Sequence, residues 1–224
     1  MSRTPSLLVQ RALHGIRQAW AACCEDYSVR KLNSERSLQA AFYYHLRTAL
    51  GLESHDYRIF VEARVLLRAA KGDGEAMEKT IFIDTLVCSA DKQVLVAVEL
   101  KYTPRSKPGT NAARKDLESL SRMRNHLDKR VMIELVRHGG TAEGDRYPLK
   151  VSPDARMVLA MFIAKRKTAF DASEFWRGHV PTAGAWKTRT QKLPPRLGVC
   201  VALASSETAE PYCLGRPFEV DAPL

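Results

Sequence analysis

The spacing of apolar residues along the chain predicts a fold that mixes helices and strands. Apolar side chains recur at helical spacing in the stretches 6–24, 34–50 and 112–127, which predicts three helices. The predicted strands are shorter apolar runs rich in β-branched residues, at 59–67, 81–89, 93–101, 157–164 and 197–204. The run VMIELV at 131–136 fits either a helical extension or a short strand.

Turn-forming residues separate these elements. Asn33 or Ser34 can cap the second helix, and Gly51 can end it. Two prolines and a glycine in YTPRSKPGTN, residues 102–111, predict a loop. Residues 138–154 are also predicted to be a loop.

The order of the elements predicts one α/β domain with a mixed central β-sheet flanked by helices. A helix, three strands in an antiparallel meander, a second helix and a further strand follow one another along the chain. We expect the domain to span 1–204, with its core at about 34–165, a basic segment at 165–196 and a peripheral C-terminal tail at 205–224. The length of 224 residues suits one such domain.

Composition and cysteine use indicate a soluble protein of a reducing compartment. Hydrophobic residues make up 45% and charged residues 27% of the chain, as in globular proteins. The longest apolar runs are far shorter than the ~20 residues that cross a bilayer, and the N-terminal stretch is more typical of an amphipathic helix than of a signal peptide. We therefore expect a cytoplasmic protein without a membrane partner. Five cysteines without a CxxC pair fit reduced thiols, and the six histidines form no cluster typical of a zinc site.

Net charge indicates a polyanionic partner. The formal charge of +10 fits nucleic acid binding, although many basic proteins bind no nucleic acid. The segment 165–196 contains eight Lys or Arg, two acids and several interleaved aromatic residues. Such a segment can contact phosphates and stack on bases, or it can be a solvated loop anchored by its aromatic residues. The candidate contacts to nucleic acid in it are Lys165, Arg166, Lys187 and Arg189.

Three charged residues interrupt the apolar strands at 81–89 and 93–101. Side chains on a strand alternate between its faces, so Glu99 and Lys101 share a face about 7 Å apart. Asp84 lies within IFIDTLV, and a hairpin between the two strands would bring it beside Glu99 or Lys101. Buried acids are rare unless they are paired or bind a metal. Two carboxylates that converge in this way repel each other, and a divalent cation would relieve the repulsion.

A magnesium ion suits these donors. Mg²⁺ prefers hard oxygen ligands and is commonly held by one or two carboxylates, with water and a substrate phosphate in the other positions. A metal held by Asp84 and Glu99 would polarise a phosphoryl oxygen and activate a water molecule. Lys101 would position that water or offset the charge that grows on phosphorus. The three residues therefore predict a Mg²⁺- or Mn²⁺-dependent site for phosphodiester hydrolysis.

The stretches IFIDTLV and VAVELKY resemble the motif of the PD-(D/E)XK nuclease superfamily, the fold of many restriction endonucleases. That motif is an acid on one strand, then an acid, any residue and Lys at the end of the next strand, here Asp84, Glu99 and Lys101. The resemblance implies a metal-dependent DNA endonuclease of restriction, phage defence, recombination or mobile elements. It covers roughly residues 34–127 and lacks the proline of the motif, since Ile83 precedes the first acid.

The resemblance also implies further site residues around the motif. A further catalytic and metal-binding acid often comes from the helix before the sheet, and Glu35, which heads the apolar stripe of the second predicted helix, is the matching residue. In the family the main-chain carbonyl between the acid and the Lys, here that of Leu100, can bind metal. Basic residues on the helix after the third strand approach DNA, and Arg114 and Lys115 match them in order. A homodimer is an open alternative, because a duplex requires two cuts.

The same residues also fit purely structural roles. Glu35 can be a first-turn acid favoured by the helix dipole, and Asp84 can pair structurally with Lys101. Glu62 and Gln39 are weaker candidates for the site. The chain can also be an inactive nuclease-fold protein that binds nucleic acid or a protein partner, or a basic α/β scaffold with buried ion pairs. Cation binding and DNA cleavage separate these functions.

Overall fold

The computed structural model describes residues 6–51, 55–70, 76–104, 113–135, 145–165 and 196–219. The helices in these ranges are α1 (Leu7–Ser28), α2 (Glu35–Ala49), α3 (Arg114–Arg124) and α4 (Arg216–Glu219). The strands are β1 (Tyr57–Ala70), β2 (Ala76–Ser89), β3 (Gln93–Thr103), β4 (Arg130–Leu135), β5 (Asp145–Ala164), β6 (Leu197–Ala204) and β7 (Ala209–Leu214). The three helices and five strands predicted from the sequence are all present, and the ambiguous run VMIELV belongs to strand β4.

The seven strands form one mixed sheet that is mostly antiparallel. Its order is β3-β2-β1-β4-β5-β6-β7, and among the described strands the parallel pairs are β3–β5 and β5–β6. The long strand β5 pairs with β4 in its first part and with β3 and β6 in its second part. The additional pairing of β3 with β5 closes a ring of five strands. The predicted α/β class is therefore confirmed.

Two apolar layers cover the opposite faces of the sheet. On β5, Met157, Leu159 and Met161 belong to the layer under α3, whereas Val158 and Phe162 belong to the layer under α1 and α2. All five side chains are buried. A strand that is covered on both faces is apolar at every position, which explains why MVLAMFIA shows no alternation.

Local signals position α2, the helix that precedes the meander. The Ser34 hydroxyl accepts a hydrogen bond from the Ser37 N–H, and the Ser37 hydroxyl accepts one from the Ser34 N–H, so the helix begins with a reciprocal cap. The helix ends before Gly51, whose φ of 85° is the left-handed conformation that glycine adopts most easily. One face carries Glu35 and packs towards the sheet. The buried residues of this face are Leu38, Phe42 and Leu46.

The predicted loop at 138–154 is wrong from Asp145 onwards, because β5 begins there. Residues 145–149 pair with β4 alone, so this part of β5 is an edge. An edge strand tolerates proline, which is why Pro148 does not interrupt it. Leu149 is buried between exposed neighbours, and this alternation was obscured by the prolines of the stretch.

The predicted C-terminal tail is also wrong over its described residues. Residues 209–214 form β7, which pairs antiparallel with β6, and Pro211 is tolerated because β7 is an edge strand. The short helix α4 then places Phe218 against Gly198 of β6. A Cβ atom at Gly198 would overlap the Phe218 ring, so only glycine permits this close approach. The sheet thus extends beyond residue 204, where the domain was expected to end.

We expect Phe218→Ala to lower the free energy of unfolding by about 3 kcal/mol, because it removes a buried ring and leaves a cavity. Phe218 is 7% exposed, and urea unfolding followed by circular dichroism measures the loss. Phe82→Ala is the matched control, since Phe82 is 62% exposed on β2. The control should cost less than about 1 kcal/mol. Equal losses in the two variants would contradict the packing of α4 on the sheet.

Candidate active site

Asp84 and Glu99 lie where β2 and β3 separate. The last backbone pair at this end is Thr85 with Val98, and the two acids are the next residue on each strand. Asp84 takes the place of the missing backbone partner, because its Oδ2 accepts a hydrogen bond from the Leu100 N–H at 2.7 Å. The hairpin therefore brings the two acids together, as the sequence predicts. Their role in catalysis stays a prediction.

The Asp84 carboxylate is held at both of its oxygens. Its Oδ1 accepts a hydrogen bond from Gln39 Nε2 at 2.8 Å, which joins β2 to α2. Burial raises the pKa of Asp84 above its usual value, although hydrogen bonds from Leu100, Glu99 and Gln39 act to lower it. Gln39, a weak candidate on sequence grounds, therefore orients this acid.

Glu99 is the most deeply buried acid of the site, with 5% of its surface exposed. Burial and then the charges of Asp84 and Asp116 raise the pKa of Glu99 to about 10. The side chain is therefore protonated at neutral pH in the metal-free protein, and it donates a hydrogen bond to Asp84. The two acids share one proton, as expected for carboxyl groups that are too close to ionise together.

Lys101 approaches the acids from the end of β3. Its Nζ lies 3.5 Å from Glu35 Oε2 and 3.9 Å from Asp116 Oδ2. Burial lowers the pKa of Lys101, but Asp116 and Glu35 together raise it more, so the ammonium stays charged at neutral pH. Among the described residues, the ion pairs of Lys101 are to these two acids. The structural Asp84–Lys101 pair that the sequence left open is thus not the arrangement found.

Glu35 reaches the site from the first turn of α2. Besides its ion pair with Lys101, its Oε2 accepts a hydrogen bond from the Tyr102 N–H at 3.4 Å. The side chain therefore joins α2 to the end of β3. It is also a first-turn acid that the helix dipole favours. The structure is therefore compatible with a role of Glu35 in the site and with a structural role at the start of α2.

Asp116 of α3 is a fourth acid in the site, and the sequence motif did not reveal it. Its Oδ2 lies near Lys101 and is buried without a hydrogen-bond partner among the described residues. Burial raises the pKa of Asp116 to about 6, with Lys101 opposing the shift and neighbouring acids adding to it. A signal was available, because Leu120 and Met123 are buried four and seven residues later and place Asp116 on the covered face.

Glu62 of β1 is the one weak candidate that stays outside this group. The β1–β2 ladder pairs the residues on either side of Glu62 and skips Glu62 itself. Its φ of 49° is left-handed, and the residue is exposed. Glu62 is therefore an exposed strand residue that locally interrupts β1 beside Asp84.

The predicted contacts to nucleic acid are described only in part. Arg114 and Lys115 are exposed at the start of α3, and Arg114 forms an ion pair with Glu118 one turn along the helix. Lys165, at the end of β5, forms an ion pair with Glu210 of β7. The remaining three candidates lie outside the described residues: Arg166, Lys187 and Arg189.

The donors of the site fit a hard cation in their chemistry. Within the described ranges, no group of three or more His, Cys, Asp or Glu side chains is placed to hold a metal ion. Mg²⁺ needs only one or two protein carboxylates, however, and Asp84 and Glu99 are an adjacent pair. The Leu100 N–H points to Asp84, so the Leu100 carbonyl lies on the same side of β3, beyond the end of the β2 ladder. A cation bound there would replace the proton that the two acids share.

Comparison with known proteins gives no relative from which a role could be transferred. No protein-family model, no curated protein and no solved structure matches the chain. The helices of the described residues include none that is both long and apolar enough to cross a membrane.

We expect the free energy of unfolding in EDTA to fall by about 1 kcal/mol per pH unit between pH 6 and 8, because Glu99 stays protonated in the folded protein and is ionised in the unfolded chain. Glu99→Gln should flatten this slope, since glutamine needs no proton. Urea unfolding at several pH values measures it. Asp116, with a pKa raised to about 6, adds to the slope at the lower end of this window, and the buried thiols, which begin to ionise in the unfolded chain at about pH 8, add to it at the upper end. The contribution of Glu99 is therefore the difference between the slopes of the wild type and Glu99→Gln.

Glu207→Gln is the matched control for this experiment, because Glu207 is exposed in the turn between β6 and β7. It should keep the slope of the wild-type protein. A wild-type protein whose stability does not change across the window would contradict the protonated state of Glu99.

Proposed function

We propose that this protein is a Mg²⁺- or Mn²⁺-dependent endonuclease that hydrolyses phosphodiester bonds in DNA, with the restriction-endonuclease-like fold of the PD-(D/E)XK superfamily. The observation that carries the proposal is that Asp84 and Glu99 are adjacent where β2 and β3 separate, with the Lys101 ammonium near enough to interact with the charge of Asp84. Two acids that share a proton, next to an ammonium, supply the groups that a hard cation and a phosphodiester require.

The order of the elements supports the same fold. Helix α2 leads into the antiparallel meander β1, β2 and β3, and α3 follows it. The chain then returns in β5, which is the parallel neighbour of β3. A helix, three strands, a helix and a strand is the outline predicted from the sequence, with β4 added before β5.

Asp84 and Glu99 would hold the cation together with the Leu100 carbonyl. When bound, the metal supplies a Lewis acid that polarises the phosphoryl oxygen and activates a water molecule. Asp84 is already oriented by Gln39 and by the Leu100 N–H, so little reorganisation is needed for it to act as a ligand.

Lys101 would offset the negative charge that develops on the phosphate or position the attacking water. Its ammonium is kept charged by Glu35 and Asp116, which come from helices on either side of it in the chain. A fixed cation in a partly buried site stabilises developing charge without moving during the reaction. Glu35 and Asp116 therefore serve the reaction by positioning Lys101.

Charge supports nucleic acid as the substrate. The chain has a net charge of +10, and Arg114 and Lys115 are exposed two residues and one residue before Asp116. Basic residues next to the acids would contact the phosphates that flank the cleaved bond. We place the enzyme in the cytoplasm, in restriction, phage defence, recombination or mobile-element biology, and a homodimer would provide the two cuts that a duplex needs.

A catalytically inactive protein of the same fold is the second candidate. The observation that favours it is that a proton already satisfies Asp84 and Glu99, so the site is stable without a metal. Such a protein would bind nucleic acid or a protein partner and would not cleave DNA. A basic scaffold with buried ion pairs is the third alternative. It would cleave no DNA and, unlike the first two candidates, would bind no cation at this site.

We expect Asp84→Asn and Lys101→Met each to lower the rate of DNA cleavage by a factor of about 100 or more, because each removes a charge that acts at the reacting phosphate. The assay incubates supercoiled, linear, branched and single-stranded DNA with Mg²⁺, Mn²⁺ or EDTA. Asparagine keeps the shape of the Asp84 side chain, and the Gln39 amide can rotate to form a hydrogen bond with it. The control Glu207→Gln, which changes an exposed acid in the turn between β6 and β7, should retain the wild-type rate.

DNA binding in EDTA should be unchanged in Asp84→Asn, since the substitution leaves the basic residues in place. Wild-type cleavage rates in this variant would refute the site. A wild-type protein that binds DNA and cations but cleaves none of these substrates would instead support the inactive alternative.

Binding of Mg²⁺ should release about one proton per ion at pH 7, because Glu99 is protonated in the free protein and ionised as a ligand. Calorimetry in buffers of different ionisation enthalpy measures the release. The affinity should increase with pH between 6 and 8. Glu99→Gln should weaken binding and abolish the release, and Mg²⁺ binding that releases no proton would contradict the shared proton.

A further inference from the structure

Cys200 and Cys213 face each other across the last two strands of the sheet. They are direct partners in the antiparallel register of β6 and β7, and their sulfur atoms lie 3.2 Å apart. Both are free thiols in the structure. Directly opposed residues of antiparallel strands have Cα atoms about 4.5 to 5.5 Å apart, which is within the span of a disulfide.

The two thiols differ in their access to solvent. Cys200 is buried in the apolar layer under α1 and α2. Cys213 lies on β7, the edge strand, and is partly exposed. An oxidant that arrives from solvent therefore meets Cys213 first, and Cys200 is the thiol within immediate reach of it.

The surroundings of Cys213 favour its thiolate. The hydrogen bond from Cys200 lowers the pKa of Cys213, burial opposes this effect, and the charge of Arg17 on α1 lowers it further. Burial keeps the pKa of Cys200 well above its usual value, so Cys200 remains a thiol and donates the hydrogen bond. Cys24 of α1 also faces the pair, and burial raises its pKa to about 12. A thiolate beside a cation and a second thiol is the setting in which cysteines react with oxidants.

We propose that Cys213 and Cys200 form a peroxide-sensitive oxidation site that closes into a disulfide between β6 and β7. In the first step the Cys213 thiolate attacks one oxygen of hydrogen peroxide and becomes a sulfenic acid, while the O–O bond breaks and hydroxide leaves. In the second step the Cys200 sulfur attacks the Cys213 sulfur, the S–O bond breaks, and the hydroxyl leaves as water with the Cys200 proton. Two thiols are oxidised, and one peroxide is reduced to two waters.

The disulfide would fasten the C-terminal elements to the sheet. β7 pairs with β6 alone, and α4 follows it and places Phe218 on β6. The two cysteines are 13 residues apart, so the crosslink closes a short loop and restricts the unfolded chain. This site lies on other strands than the acids, and it stands whether or not the protein is a nuclease.

The experiment treats the fully reduced protein with hydrogen peroxide in buffer that contains EDTA. Trypsin leaves both cysteines in one peptide, residues 197–224, because neither Lys nor Arg lies between them and trypsin does not cleave the Arg216–Pro217 bond. Cleavage after Glu207 then separates Cys200 from Cys213 unless a disulfide joins them. We expect the joined peptides, with the count of free thiols falling from five to three.

Oxidation should also raise the melting temperature of the wild-type protein by roughly 5 to 10 °C, and dithiothreitol should reverse the shift. Cys213→Ser should abolish both the shift and the joined peptides. Cys23→Ala is the matched control, because Cys23 is a buried thiol of α1 outside the pair, and it should keep both. Cys24→Ala should keep them as well.

Three results would overturn the proposal. One is a disulfide from Cys213 to Cys24, which would join the peptide 197–224 to one from α1. Another is a sulfinic acid on Cys213 while Cys200 stays reduced. The third is a wild-type protein whose thiol count and melting temperature do not change when peroxide oxidises a reference dithiol in the same solution.

Discussion

The site depends on balancing buried charge. Glu99 can be buried because it keeps a proton, Asp84 because N–H groups satisfy both of its oxygens, and Lys101 because two carboxylates face it. Loss of any one partner would leave a polar or charged group without compensation in a poorly hydrated space, which costs several kcal/mol. The helices α2 and α3 and the strands β2 and β3 each contribute to this balance. It is complete only when all four are packed together.

The acids on the strands could be predicted from the sequence because their setting is unusual. Asp84 and Glu99 stand in apolar runs, where a charge needs a reason, and the two-residue period of a strand fixes which side chains project together. Asp116 stands among several charges on an amphipathic helix, where an acid at the border of the covered face resembles any solvated residue. Only the packing of α3 on the sheet shows that it reaches Lys101.

The parts of the fold that the sequence concealed are those that depend on pairing between distant segments. The first part of β5 and the whole of β7 contain proline, and local reasoning assigns such stretches to loops. Each lies at an edge of the sheet. A sequence pattern cannot show this, because an edge strand is one that has no neighbouring strand on one of its two sides. The core strands could be predicted because a strand that is buried on both faces is apolar at every position.

The position of Leu100 between Glu99 and Lys101 has a consequence for how the chain assembles. Leu100 points into the layer under α1 and α2, opposite to its two charged neighbours. If β3 shifted by one residue against β2, Glu99 and Lys101 would point into that apolar layer. Leu100 would then take their place among the carboxylates. A misaligned sheet would therefore bury two charged side chains and also place a leucine in a polar site. Glu99 and Lys101, which we assign to the chemistry, thus also favour the correct alignment of β3 with β2 during folding.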